Sequence, residues 1–530
     1  MRDRASALPF AAIGLVVALG HLTLFPNVAD LDGFYHIGHA KVYLEGSLFD
    51  TSLPWATRSI IGDLGGDLWW GFHVLLLPFA VLGDVALGAR VAALTLTLSL
   101  GLTILWVLRR HGVAWAGGWA ALFLVAVPNV SFRYLMLRPH VVSLAAAVAL
   151  LSVLVRGRWW QVVLLSAFIS WVHLGLFWIA PGIAVAYAVA RIPVTVGLGR
   201  ESPDAGVPLR QALPAAFAGS VIGWLLRPDA LVTAALLNVQ LIQLFTQKAT
   251  GAPLTFAAEL SPLGIEELLR TTWLFAVVWV GAGATFVWAA SRDRLRSLGQ
   301  EKATLLVTAL LVSVVFLGLT LLSARRAMEQ WTAFGFLVLP FAATLLPNGA
   351  RGRTPRVATA AVLAAYLAWG AWRHTLNVSE VAFPADSLQE AAEFLADRSE
   401  PGDVVFHAKW DNFGPLLAHN RTNHYLSGMD PIFQFAHDPG AYWEFFYMSA
   451  DVSVAWTCNA FPCVSGVATD SYEVLRDHFG ARWVLVEPRR NPRLTLHLLN
   501  DPRFSLVLET EREAVFEILP SDATSEGAGL

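Results

Sequence analysis

The chain has 530 residues, of which 56% are hydrophobic and only 15% charged, and its mean hydropathy is +0.55. Soluble domains carry about 25% charged residues, so the composition excludes an ordinary water-soluble enzyme and points to a polytopic helical membrane protein. A net charge of −3 leaves no basic face for nucleic acid.

In chain order, residues 1–25 place Arg2 and Arg4 before an apolar run. No convincing small-x-small cleavage site follows, so the run reads as an uncleaved first span. Further apolar runs predict spans near 86–108, 113–128, 139–155, 159–174, 176–190, 212–226, 271–290, 303–322, 332–346 and 357–372, about eleven in all. Gly175, Pro181 and Gly182 predict a turn or a broken helix within 159–190. With the N-terminus cytoplasmic, the inner loops hold Arg109, Arg110, Arg156, Arg158, Arg191, Arg200, Arg210, Arg292, Arg294, Arg296, Lys302, Arg351, Arg353 and Arg356. That is the expected positive-inside bias, and an odd span count leaves the C-terminal part outside the plasma or inner membrane.

Residues 68–82 are apolar enough to span, but counting them would move Arg109 and Arg110 outside. They read instead as a helix lying on or dipping into the outer leaflet, with Trp69 and Trp70 at the interface. This helix falls in a long first outer loop, 26–85. Composition shifts at about 373. β-rich runs at 404–406, 483–487 and 514–519, with helical patterns at 386–398 and 470–479, predict an extracytoplasmic α/β domain over 373–520. The preceding 1–372 form the transmembrane domain, and 521–530 are expected to be a disordered tail. Cys458 and Cys463 would pair in an oxidising compartment or remain two thiols.

Chemistry concentrates in the first outer loop. VADLDGFYHIGHAKVYLEGSLF (28–49) packs Asp30, Asp32, His36 and His39 into ten residues. Asp32 and His36 are i, i+4 neighbours on a helix, which suits an oriented acid–imidazole pair. Asp30 and Asp32 could act as general base or hold a divalent metal, Mg²⁺ or Mn²⁺; equally, both could cap the helix starting near Gly33. Outer arginines run against the positive-inside bias and each needs a reason. They are Arg133 and Arg138 in SFRYLMLRPH, Arg227 in LLRPD, and Arg325 and Arg326 in SARRAMEQW. Converging near a membrane surface they would suit a lipid phosphate or diphosphate; singly they would snorkel to headgroups. His140 and His173 lie at outer span ends. The long loop 227–270 carries Glu259, Glu266 and Glu267. Glu259 or Glu266 could assist as an acid. The polar, aromatic stretch 410–435 suits carbohydrate or an ordinary α/β loop.

The whole chain resembles the GT-C class of membrane glycosyltransferases. The resemblance rests on Asp30-Leu31-Asp32 through His36, Gly46 and the WWGFHVLLLP helix. It extends to FRYLMLRPHVVSL (132–144), WVHLGLFWIAPG (171–182), SARRAMEQWTAFGFLVLP (323–340) and FPADSLQEAAEFLADRSEPGDVVF (383–406). No WWDYG-like motif stands in the C-terminal part, and Gly71-Phe72-His73 replaces the His-Pro-Pro or Pro-Pro-Leu element of other branches. The resemblance implies sugar transfer from a polyprenyl-phosphate or -diphosphate donor to a glycan, lipid or protein acceptor outside the cell, by inverting displacement. Asp30 or Asp32 would be base or metal ligand, with His36 orienting the acid. Arg133, Arg138, His140, Arg227, Arg325 and Arg326 would surround the donor phosphate. A flippase for lipid-linked sugars would need ionisable residues deep in its spans, which are nearly free of them here. A non-catalytic scaffold would leave the outer acids without a groove.

Overall fold

The computed structural model describes residues 7–24, 26–198, 206–255, 257–292, 294–346, 365–366, 368–374, 376, 380–464 and 468–520. Among these, six helical segments are long and apolar enough to cross a membrane: Val85–Arg110, Pro139–Arg156, Leu174–Ile192, Ala230–Ala249, Ile265–Ser291 and Arg294–Leu322. Shorter apolar helices span Leu8–Thr23, Trp70–Ala80, Ala116–Val125 and Trp159–Val172, and Leu209–Leu225 and Met328–Leu345 complete the bundle. The predicted break after 172 is present: the helix stops at His173, a 3₁₀ turn covers Leu174–Leu176, and Ile179–Leu198 restarts. Arg200, the inner arginines 351, 353 and 356, most of the span expected at 357–372 and the tail 521–530 lie outside the described residues.

The segment expected as a loop after Arg227 is helical over Ala230–Ala249. Asn238, Gln240 and Gln243 interrupt its apolar pattern, and 238–243 winds as a π-helix. The 68–82 element forms Trp70–Ala80 with Trp70, Phe72, His73 and Leu76 buried. It packs on Asp32–Glu45, the helix that carries the first-loop acids.

The C-terminal α/β domain holds a five-stranded mixed sheet. Its strands are β1 (Val404–His407), β2 (His424–Tyr425), β5 (Ala481–Val486), β6 (Phe504–Glu509) and β7 (Ala514–Ile518), in the order β2-β1-β5-β7-β6. β1 is parallel to β2 and β5, and β7 is antiparallel to β5 and β6. A ribbon of β3 (Trp456–Thr457) and β4 (Thr469–Asp470) stands apart. The expected strands at 404, 483 and 514 are all present. Cys458 and Cys463 form a disulfide, with Cα atoms 5.6 Å apart.

This domain is built into the first loop. Val28 and Phe383 exchange backbone hydrogen bonds at 2.8 and 2.7 Å. Ala56 bridges Tyr425 on the free edge of β2, where the Tyr425 N–H donates to Trp55 and the Thr57 N–H donates to Tyr425. Phe34 and Tyr35 share one apolar core with Phe413, Leu416 and Tyr425. The contact between Asp32–Glu45 and Phe413–His419 is backbone-close. A Cβ on Gly38 would stand 3.0 Å from the Ala418 Cα, and one on Gly414 would stand 2.8 Å from the Leu31 carbonyl oxygen.

Candidate active site

Asp30 ends the strand-like segment pinned by the Val28–Phe383 bridge, and Asp32 opens the following helix. That helix has no side-chain cap. Both carboxylates turn instead to Arg138, which stands at the entrance of Pro139–Arg156. Arg138 Nε donates to Asp30 Oδ2, Nη2 reaches Asp32 Oδ2 at 3.0 Å, and Nη1 pairs with Glu259 Oε1. Arg133, one turn earlier in the chain, donates Nε to Glu329 at 2.5 Å and Nη2 to Glu259 at 3.0 Å. Arg326 approaches Glu259 at 3.6 Å, and His140 Nε2 meets Glu329 at 2.8 Å. Three guanidinium groups therefore converge on the single carboxylate of Glu259, which a 3₁₀ turn, Ala258–Leu260, holds over the cluster.

The electrostatics differ among these acids. Burial, opposed by Arg138 and reinforced by Asp30 and Glu259, pushes the Asp32 carboxyl up to about 8. Burial would also raise Glu259, but Arg138, Arg326 and Arg133 together hold it well below the usual carboxylate range. Asp430, from the α/β domain, joins the same field: burial raises its carboxyl against the pull of Arg326 and Arg138. Asp32 is thus the acid suited to change protonation near neutral pH, and Glu259 is a fixed anion.

The structure gathers Asp30, Asp32, Arg133, Arg138, His140, Glu259 and Arg326 into one place. Arg325 points elsewhere, pairing with Glu267 at 3.3 Å. Arg227 is buried and gives both terminal nitrogens to the Leu68 carbonyl, at 2.9 and 2.7 Å. Glu266 is exposed in the first turn of Ile265–Ser291. His36 bonds not to Asp32 but to His73, Nδ1 to Nε2 at 2.8 Å. His173 is buried with Nδ1 unpartnered. Sequence reasoning missed Glu329, 1% exposed, and Asp430. Glu329 had a signal: it lies three and four residues after Arg326 and Arg325 at the head of an apolar helix.

Arg138 also bears on the metal expected at Asp30 and Asp32. Its guanidinium takes both carboxylates and places a cation where a dication would sit, so this donor set does not fit a metal as arranged. The triad among the described residues whose donor atoms lie close enough to share an ion is His39, Asp67 and His73.

No protein-family model and no curated protein matches the chain. Solved structures do. ArnT from Cupriavidus metallidurans bound to undecaprenyl phosphate aligns with a TM-score of 0.52 at 13% identity, over 97% of this chain and 98% of ArnT. Its apo state aligns with 0.53 at 13%, over the same shares. The mycobacterial arabinofuranosyltransferase AftD aligns with 0.52 at 15%, over 98% of this chain and 42% of AftD. At such identities the likeness speaks for the fold, and the chain has the fold of the GT-C membrane glycosyltransferases.

Proposed function

We propose that the protein transfers a sugar from a polyprenyl-phosphate or -diphosphate donor to an acceptor hydroxyl at the extracytoplasmic membrane surface. The observation that carries this reading is the convergence of Arg133, Arg138 and Arg326 on Glu259. Three guanidinium groups meeting at Glu259, two of them paired also with Asp30, Asp32 and Glu329, make a seat whose forked donors suit phosphate oxygens. Glu259 fills it on a short turn, and a donor phosphate would take its place as that turn withdraws. The fold supports the same class of donor, since ArnT was crystallised with undecaprenyl phosphate.

In the reaction, the acceptor oxygen attacks the anomeric carbon from the face opposite the lipid phosphate. The bond from that carbon to the phosphate oxygen breaks, and its electron pair stays on the phosphate. Asp32, as carboxylate, takes the acceptor hydroxyl proton. Asp30 keeps Arg138 oriented. The leaving phosphate is already ionised and needs no proton, so Glu259 serves here as an anion surrogate rather than an acid. Arg133, Arg138 and Arg326 stabilise the charge that gathers on the phosphate. Asp430 places the α/β domain at the rim, where an acceptor would be selected.

The test is turnover by purified protein with a panel of polyprenyl-phosphate and -diphosphate sugars, comparing wild type with Asp32→Asn. Consumption of one donor by wild type alone supports the reading. Full activity in an Asp30→Ala/Asp32→Ala double variant overturns it, and binding without consumption by wild type favours a lipid-linked-sugar flippase or a scaffold.

A further inference from the structure

Away from the arginine cluster, the inner face of Asp32–Glu45 builds a second polar centre with Asp67 and the Trp70–Ala80 helix. His39, Asp67 and His73 are 2%, 3% and 0% exposed, and their ligating atoms all lie within 4.8 Å of one another. Each is held from behind. His39 Nδ1 bonds the Tyr35 hydroxyl at 3.0 Å, which aims Nε2 at Asp67 Oδ2, 3.9 Å away. That Nε2 has no hydrogen-bond partner. His73 Nε2 is taken by His36, which aims its Nδ1 at the same Asp67 Oδ2, 2.6 Å away. Asp67 is fixed in turn by the Trp69 N–H on Oδ1 at 2.8 Å and the Tyr43 hydroxyl on Oδ2 at 2.9 Å.

We propose that His39, Asp67 and His73 bind a transition-metal dication, Zn²⁺ foremost, which ties the first-loop helix to the Trp70–Ala80 helix. Imidazoles fixed by their outer nitrogens and aimed inward are how proteins orient metal-binding histidines. Two imidazole nitrogens and one carboxylate suit zinc and its first-row neighbours, whereas Mg²⁺ and Ca²⁺ favour all-oxygen shells. The ion gives the unpartnered His39 nitrogen its partner. Binding displaces the proton from His73 Nδ1, which the His36–His73 pair regains at His36 Nε2, and it needs a small turn of one ring, since the His39 and His73 rings stack with centroids 4.3 Å apart.

The ion also changes what His36 presents. Without it, Asp67 holds a proton on His73 Nδ1, so Nε2 accepts from His36 Nδ1–H and leaves His36 Nε2 an acceptor. With it, His73 Nδ1 ligates the metal, Nε2–H donates to His36, and His36 Nε2 carries the hydrogen. His36 lies one turn from Asp32 on the same helix, so loading would reset a polar group beside the proposed base; that consequence rests on the transferase reading, whereas the site itself does not.

The experiment uses the full chain, purified through a tag without histidines and without chelator, and measures metal content, the Co²⁺ absorption spectrum and the melting temperature. Wild type is expected to hold about one Zn²⁺ per chain, to melt lower after 1,10-phenanthroline, and to recover with Zn²⁺. His39→Ala and Asp67→Asn should each lose at least about tenfold in occupancy, while Asp32→Asn keeps the ion. If the two site variants do not fold, the wild-type Co²⁺ spectrum decides, tetrahedral bands supporting the site. Wild type that stays metal-free in Zn²⁺, with no bands and no melting shift, overturns the proposal, as does full occupancy in both site variants. These readouts do not depend on sugar transfer, so failure of either reading is visible without the other.

Discussion

One helix, Asp32–Glu45, carries two polar centres that solve the problem of buried charge in opposite ways. At its N-terminus, Asp30 and Asp32 meet Arg138, delivered by a distant element, and Arg138 shares Glu259 with Arg326, with side chains that keep between 10% and 34% of their exposure. On its inner face, His36, His39 and Tyr43 meet Asp67 and His73 with almost no exposure. The first centre is made of cation–anion pairs whose partners an incoming anion could exchange. The second is closed by short, directional hydrogen bonds onto Asp67. Under the proposed function the first region would exchange its partners for a donor phosphate, whereas the second is sealed from solvent.

The largest expected effect tests the first centre. Arg138→Ala removes the cation shared by Asp30, Asp32 and Glu259. Transfer should fall by about 10²–10³-fold, and stability should fall by about 3 kcal/mol or more, as for a buried pair stripped of one partner. Thermal melting and single-turnover assays check both. Arg138→Lys should rescue little, because one ammonium cannot fork to three carboxylates.

Next, Asp32→Asn should cost about 10²–10⁴-fold in turnover with donor binding retained. The wild-type rate should rise with pH through a limb near 8, where the raised Asp32 carboxyl ionises, and the variant should lack that limb. Stability moves the other way. The folded-state pKa lies above the unfolded one, so protonated Asp32 favours the folded state. That contribution is lost as pH climbs from the unfolded value toward 8, and Asp32→Asn should flatten the loss.

Glu259→Gln sharpens the idea of an exchangeable seat. It removes the anion that the three arginines share while Asp30, Asp32 and Glu329 stay in place, so polyprenyl phosphate should bind about tenfold more tightly, readable by calorimetry in detergent. Weaker binding would instead make Glu259 a structural spacer. In the sealed centre, Tyr43→Phe should cost about 1–3 kcal/mol of stability through the lost bond to Asp67, with a smaller change in turnover. Arg325→Ala should do least. Its part-exposed pair with Glu267 is worth under about 1 kcal/mol, and donor KM should shift by less than about threefold.

Much of this was legible in the chain. Long apolar runs with basic caps located most of the bundle helices, because burial in hydrocarbon requires about twenty apolar residues in a row. Asp30, Asp32 and Arg138 stood out because each is a charge that a membrane edge does not tolerate without a partner. Their partners were harder to see. Glu259 and Glu329 reach Arg133 across more than a hundred residues, and no local period encodes that. Asp430 arrives from another domain. In sequence His73 stands only where another branch has its His-Pro-Pro or Pro-Pro-Leu element, since its meeting with His36 depends on how two helices cross. The Ala230–Ala249 helix stayed hidden because three amides break its apolar pattern.

The exchange of backbone bonds between Val28 and Phe383, with the Ala56–Tyr425 bridge, bears on how such proteins can diversify. The C-terminal domain is not a detachable module hung on a finished helical domain. The first loop supplies an extra edge to its sheet, the domain brings Asp430 into the field of the arginine cluster, and glycines at 38 and 414 fix the spacing between the two. Grafting a foreign acceptor-binding domain at 373 would therefore break the site it was meant to serve. Under the proposed function, new acceptor preferences would come from changes on exposed loops outside these bridges, with the frame left intact.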